Sequence, residues 1–202
     1  MSFIARRDRL ARNANAIKAS VKPSIFSRPF PEPPTMTDDL PTLFAYDRWA
    51  STRMFEACRK VPVERYGEEI IPGWASLRST VVHIVAATEL WSRRFRELPT
   101  TGFIPESELL TIEATAKLSE ANHDAFDQLV RNLTSERLAA PFTYKNLKGE
   151  TATAPLWSAL RHVVNHASYH RGQVASKLAR LGVEAPVTDF VYYAIEQTVQ
   201  AG

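Results

Sequence analysis

The stretch from Pro155 to Gly182 constrains this chain more than any other feature. A proline in the first turn and a glycine just past the end bracket the longest helical pattern in the sequence, because proline has no N–H to lose at a helix start and glycine tolerates the left-handed stop. Three shorter patterns precede it. From Leu40 to Lys60, Phe44, Ala50, Met54 and Ala57 recur about three and four apart. A second helix runs from about Ser76 to Leu98, with Leu77, Val81, Ile84, Val85, Trp91 and Phe95 as its apolar stripe and Pro72, Gly73 and Pro99 around its ends. A third, from about Ala116 to Leu133, carries Leu118, Phe126, Leu129 and Leu133. The segment PFTYKNLKGETATAP alternates Phe142, Tyr144 and Leu147 before a Lys148-Gly149 turn, which predicts a small hairpin before the fourth helix. Thr188 and Asp189 can cap a short last helix through Gln197. Helices of this number and spacing, joined by one crossover, predict an all-α four-helix bundle.

Residues 1–35 read differently. They hold five prolines and seven Lys/Arg against two acids, a balance of +5, while residues 36–202 carry −2. The expectation is a disordered, basic, Pro-rich extension followed by one helical domain over 36–202. A near-neutral domain argues against nucleic-acid recognition by the bundle. No charge-free apolar stretch approaches the ~20 residues of a membrane span, so no membrane partner is expected. The single cysteine, Cys58, excludes an intrachain disulfide, and a reduced cytoplasm is the expected compartment.

Chemistry concentrates in the histidines. His162, His166 and His170 stand four apart on the fourth helix and share one face. Eight residues at 1.5 Å separate the outer two by roughly 12 Å, too far for two bonds of ~2.1 Å to one ion. One site therefore takes His162 with His166, or His166 with His170. His83, mid-way along the second helix beside Ile84 and Val85, is the natural third donor. Three neutral imidazoles from two facing helices leave a coordination position open, the arrangement of reactive rather than structural sites.

In order along the chain, YDRWA at 46–50, STVVHIVAATELW of the second helix, RHVV at 161–164, NHASYHRGQV at 165–174 and TDFVYY at 188–193 resemble the DinB-like damage-inducible family of metal-binding four-helix bundles, over roughly residues 38–198. The resemblance implies metal ligands at His83, His166 and His170 and makes His162 a neighbour at the edge of the site. It implies one divalent ion, with zinc, nickel, iron or copper all compatible with imidazole donors. Characterised branches of the superfamily include thiol S-transferases using mycothiol or bacillithiol, and a thiol-dependent isomerase. Metal-dependent thiol S-transfer to a small electrophile is therefore what the resemblance holds out as an activity, with a low-molecular-weight thiol as co-substrate, a small-molecule substrate and a homodimer left open. The competing reading is a non-catalytic, stress-associated metal-binding bundle with a structural or partner-binding role. The chain departs from the family at Ser51, where relatives often carry asparagine.

Other residues are assigned lesser roles. Trp49, Trp91 and Trp157 are expected in the core, with Trp74 in the loop before the second helix. Cys58 is expected as a small buried hydrophobe. His123, between Asn122 and Asp124, is expected in solvent. Arg171 and Gln173 flank the fourth-helix histidines, Arg171 either steering an anion or capping the surface, and Glu89 points away from His83. No catalytic residue, Ser-His-Asp order, phosphate loop or Cys-pair motif is identified.

Overall fold

The computed structural model describes residues 36–71 and 75–200. The expectations for residues 1–35 and for Trp74 lie outside these residues. Among the described residues four long helices form the body: α1 (Met36–Cys58), α3 (Leu77–Phe95), α4 (Ile112–Val130) and α6 (Leu156–Arg180). Short helices α2 (Val63–Tyr66) and α5 (Ser135–Ala139), a single 3-10 turn at Glu106–Glu108, and a C-terminal α7 (Phe190–Gln200) complete the helical part. The fold is all-α apart from one hairpin, β1 (Pro141–Lys145) with β2 (Thr151–Pro155). No helix of the described residues is long and apolar enough to cross a membrane.

Each helix start has a local cause. Ser76 caps α3 by accepting from the Ser79 N–H at 2.9 Å, while Ser79 Oγ accepts from the Ser76 N–H at 3.1 Å. Thr111 caps α4 through the Ala114 N–H, so this helix begins four residues before the expected Ala116. Pro41 lies inside α1, about one turn from its start at Met36, where it forfeits only one backbone bond. Pro155 closes β2 and serves as the N-cap of α6 rather than its first helical residue. At the other end of α6, Gly182 takes φ +80° while its N–H donates to Ala179 O and the Val183 N–H to Leu178 O. Only glycine adopts that conformation without strain.

The hairpin pairs Phe142 with Ala154 and Tyr144 with Ala152. Asn146 Oδ1 accepts from the N–H groups of Lys148 and Glu150, and Gly149 takes φ +80°. Leu147 falls in this turn and is exposed, not part of the strand alternation, because Asn146 has already begun the reversal.

Around the bundle α1 neighbours α4 and α6, and α3 neighbours the same two helices. Two apolar clusters fill the interior. One gathers Phe44, Phe126, Leu160 and Val163, with Phe44 and Phe126 stacked at 4.5 Å between centroids. The other gathers Met54, Leu77, Val81, Val85, Val174 and Leu178. Along α1, α4 and α6 a polar layer falls between them. It contains the buried ion pair Asp47–Arg171 at 2.5 Å, Asn122 Nδ2 donating to Val85 O at 3.2 Å, and the buried His123.

Candidate metal centre

Helix α6 carries His162, His166 and His170 on one stripe, and α3 brings His83 against it. Ring centroids stand 5.1 Å apart for His83 and His166, 4.6 Å for His83 and His170, and 4.4 Å for His166 and His170. One donor nitrogen from each of these three lies within 4.8 Å of the others. Nitrogens around a tetrahedral ion with ~2.1 Å bonds sit ~3.4 Å apart, so modest side-chain rotation closes the triangle. Of the two pairings open to the fourth helix, the geometry gathers His166 and His170 with His83. His162 stays at the edge, exposed, its ring against Trp91 at 5.2 Å.

The donor set suits a cation. Burial, with the His170 ring alongside, pulls the pKa of His83 down to about 4, and burial with its histidine neighbours does the same to His166. Both imidazoles are neutral at pH 7 and retain a lone pair for coordination. The buried His170 has its Nδ1 at 2.8 Å from Gln173 Oε1, one turn along the same helix. An amide oxygen only accepts, so Nδ1 is the donor in this contact and Nε2 is the ring nitrogen left for coordination. This is the carbonyl–histidine relay that orients metal-binding imidazoles. Phe103 meets His83 edge-on at 5.5 Å, and Tyr169, itself exposed, meets His170 at 5.0 Å.

Several expected residues fall elsewhere. His123 is buried, contrary to the solvated position expected from its polar neighbours. It lies on the inward stripe Ser119, Asn122, Phe126 and Val130, and its Nε2 is 3.4 Å from Ser119 Oγ. The three-residue step to Phe126 signals that placement better than the identities of Asn122 and Asp124. Arg171 neither steers an anion nor caps a surface; it is buried against Asp47, with a further bond to Ser168 Oγ at 2.8 Å. Asp47 within YDRWA was the signal, a carboxylate on an otherwise apolar helix face.

Trp49 and Trp91 pack against the cluster that contains Phe44 and Phe126, but Trp157 is exposed, because Leu156, Ala159 and Leu160 form the inward face of that turn. Cys58 is buried and its thiol is pushed up to about 12 by burial, so it is no nucleophile. Glu89 pairs with Arg93 at 3.4 Å. Ser51 is buried on α1. The 3-10 turn and the short helices α2 and α5 were not expected from periodicity, each being at most five residues long.

The comparisons with known proteins agree with this architecture. The family model described as the DinB family matches residues 36–200. The chain is also similar to Protein DinB of Bacillus subtilis (strain 168), with 26% identity over 163 residues that span 78% of this chain and 95% of that protein. The family match covers every long helix and all three gathered histidines, and the chain belongs to the DinB family.

Proposed function

We propose that His83, His166 and His170 hold one divalent metal ion with a position open to a low-molecular-weight thiol, and that the protein transfers this thiol to a small electrophile. The observation that carries the reading is the convergence of three imidazole nitrogens within 4.8 Å from two helices. When bound, a divalent ion on three neutral donors supplies the positive charge that lowers the pKa of an incoming thiol.

The chain's own residues account for the rest. His166 and His170, one turn apart on α6, offer their lone pairs from a rigid helix, and Gln173 fixes the tautomer of His170. His83 completes the set from α3, and Phe103 shields its ring on one side. His83 and His166 retain partial exposure, which gives a small ligand access. The thiol proton passes to solvent, the sulfur forms a bond to an electrophilic carbon, and the leaving group departs with its electron pair. No protein base is required, in keeping with the absence of an acid–base pair from the sequence motifs.

Elemental analysis of purified variants tests the ligand set. His83→Ala, His166→Ala and His170→Ala each lose the metal, whereas His162→Ala retains about one ion per chain with affinity reduced at most by the roughly 10–100-fold of an outer-shell partner. Metal lost from His162→Ala and kept in His170→Ala would reverse the assignment. Cobalt-substituted protein tests the thiol: a sulfur-to-metal charge-transfer band should appear on thiol addition, and conjugation of an electrophile should vanish in His170→Ala. An ion held by α3 and α6 also cross-links the two helices. If the cellular thiols leave the cobalt spectrum unchanged and support no transfer, the non-catalytic, structural reading replaces the enzymatic one.

A further inference from the structure

Arg94, near the end of α3, is a half-buried guanidinium that meets rings instead of acids. Its Cζ stands 4.7 Å from the Trp91 ring centroid and 4.8 Å from that of Tyr144 on β1, and these two rings meet edge-on at 4.9 Å. Nη2 donates to Lys145 O at 2.7 Å. Nε is buried without an acceptor, and Nη1 has no partner among the described residues. No described carboxylate pairs with the group, whereas Arg48, Arg78, Arg161 and Arg171 each hold at least one. Burial draws its pKa below the ordinary arginine value, opposed by the Tyr144 phenol and by no acid. The side chain is therefore held in place from two faces and one edge, with its charge uncompensated and the Nη1 edge open.

Ring contacts connect this cation to the metal centre. Arg94 follows His83 by eleven residues, about three turns, so the two share one stripe of α3 and lie ~16 Å apart along its axis. Helical side chains lean toward the N-terminus, and the seat of the guanidinium on Trp91, three residues earlier, shows that this one does. Across the groove Trp91 stands 5.2 Å from His162, and His162 stands 5.6 Å from His166. Roughly 10 Å thus separates the guanidinium from the three gathered imidazoles, with Trp91 and His162 between them. Trp91 and His166 are half-buried and His162 is exposed, so a solute can lie along this row.

We propose that Arg94, clamped by Trp91 and Tyr144, is a carboxylate subsite of the metal centre, and that the thiol bound there is a peptide-sized acid. The ~10 Å span is that of about three extended residues, so such a molecule reaches from the three histidines to the Nη1 edge, lying on the Trp91 and His162 rings. The sulfur end rests on the thiol reading above; the carboxylate end stands on the contacts of Arg94 itself.

Full-length cobalt-substituted protein is titrated with glutathione and with glutathione diethyl ester, which has the same sulfur and backbone but no free carboxylate, following the charge-transfer band. The wild type should bind the acid about tenfold tighter or more, the fold-change expected of a charge-assisted bond. Arg94→Met, which keeps an apolar stem against the two rings, should erase that preference, and Arg94→Lys should restore part of it. A second measurement needs neither sulfur nor a folded Met variant. Full-length protein labelled with nitrogen-15 at arginine Nε is titrated with the sulfur-free tripeptide γ-glutamyl-alanyl-glycine, the Arg94 resonance being identified by its loss in Arg94→Lys. Saturable movement of that resonance is expected. A static resonance overturns the subsite, and if both thiols still bind cobalt the thiol reading survives it. A moving resonance with a cobalt spectrum silent to thiols keeps the subsite and removes the thiol. A preference for the acid that persists undiminished in Arg94→Met also overturns the subsite, because the ion alone would then attract the carboxylate.

Discussion

At the scale of single residues, the site depends on imidazoles kept neutral and oriented. Gln173 orients His170 through one hydrogen bond. Gln173→Ala should therefore weaken metal affinity by roughly 10–100-fold while stoichiometry at saturation stays near one, as measured by chelator competition. His123 tests burial away from the site. Its pKa is lowered from 6.5, first by burial, so the unfolded chain binds this proton more readily than the folded one. That contribution to stability is complete above about pH 6.5 and is lost as the pH falls below it. Urea midpoints of metal-free protein should fall more steeply below this pH in the wild type than in His123→Gln, because His83 and His166 add the same slope to both. Parallel curves would show that His123 is not protonated on unfolding.

Helices set the positions that these residues occupy, and their ends are specified locally. Gly182 stops α6 in the left-handed conformation. Replacing it with alanine places a Cβ in strained backbone and should cost about 1 kcal/mol in chemical denaturation. Thr111→Ala removes the cap of α4 and should cost about as much. Neither change touches the triad, so metal stoichiometry should remain that of the wild type in both. A loss of metal from either variant would mean that the register of α3 against α6 depends on distant helix ends.

The whole molecule is pinned by a polar layer between two apolar clusters, and the buried Asp47–Arg171 pair ties α1 to α6. Asp47→Ala strands a buried guanidinium and should destabilise the protein by about 3–5 kcal/mol. Adding Arg171→Met should recover much of that loss, because the cost comes from the uncompensated charge rather than from the missing contact. Denaturant midpoints of the two single variants and the double variant measure the coupling. A protein beginning at Met36, the first residue of α1 and of the family match, should retain the helical signal of the bundle by circular dichroism. Loss of helicity beyond the residues removed would show that the bundle requires the preceding segment.

Periodicity and end signals in the sequence determined the four long helices, the hairpin and the last helix, because these depend on contacts within a few residues. The capping pair Ser76–Ser79, the stop at Gly182 and the i, i+4 spacing of His166 and His170 are local in the same sense. The pairing of histidines could not be read from that spacing alone, since His162 and His166 offer the same step; it follows from where α3 crosses α6 and sets His83. Burial of His123 and Arg171 was likewise a tertiary outcome. Both read as polar along the chain, and only the arrival of α1, with Asp47 as counter-charge, makes an interior place for the guanidinium. Helix formation is decided over one or two turns, whereas the environment of a charge is decided by whichever helix packs against it.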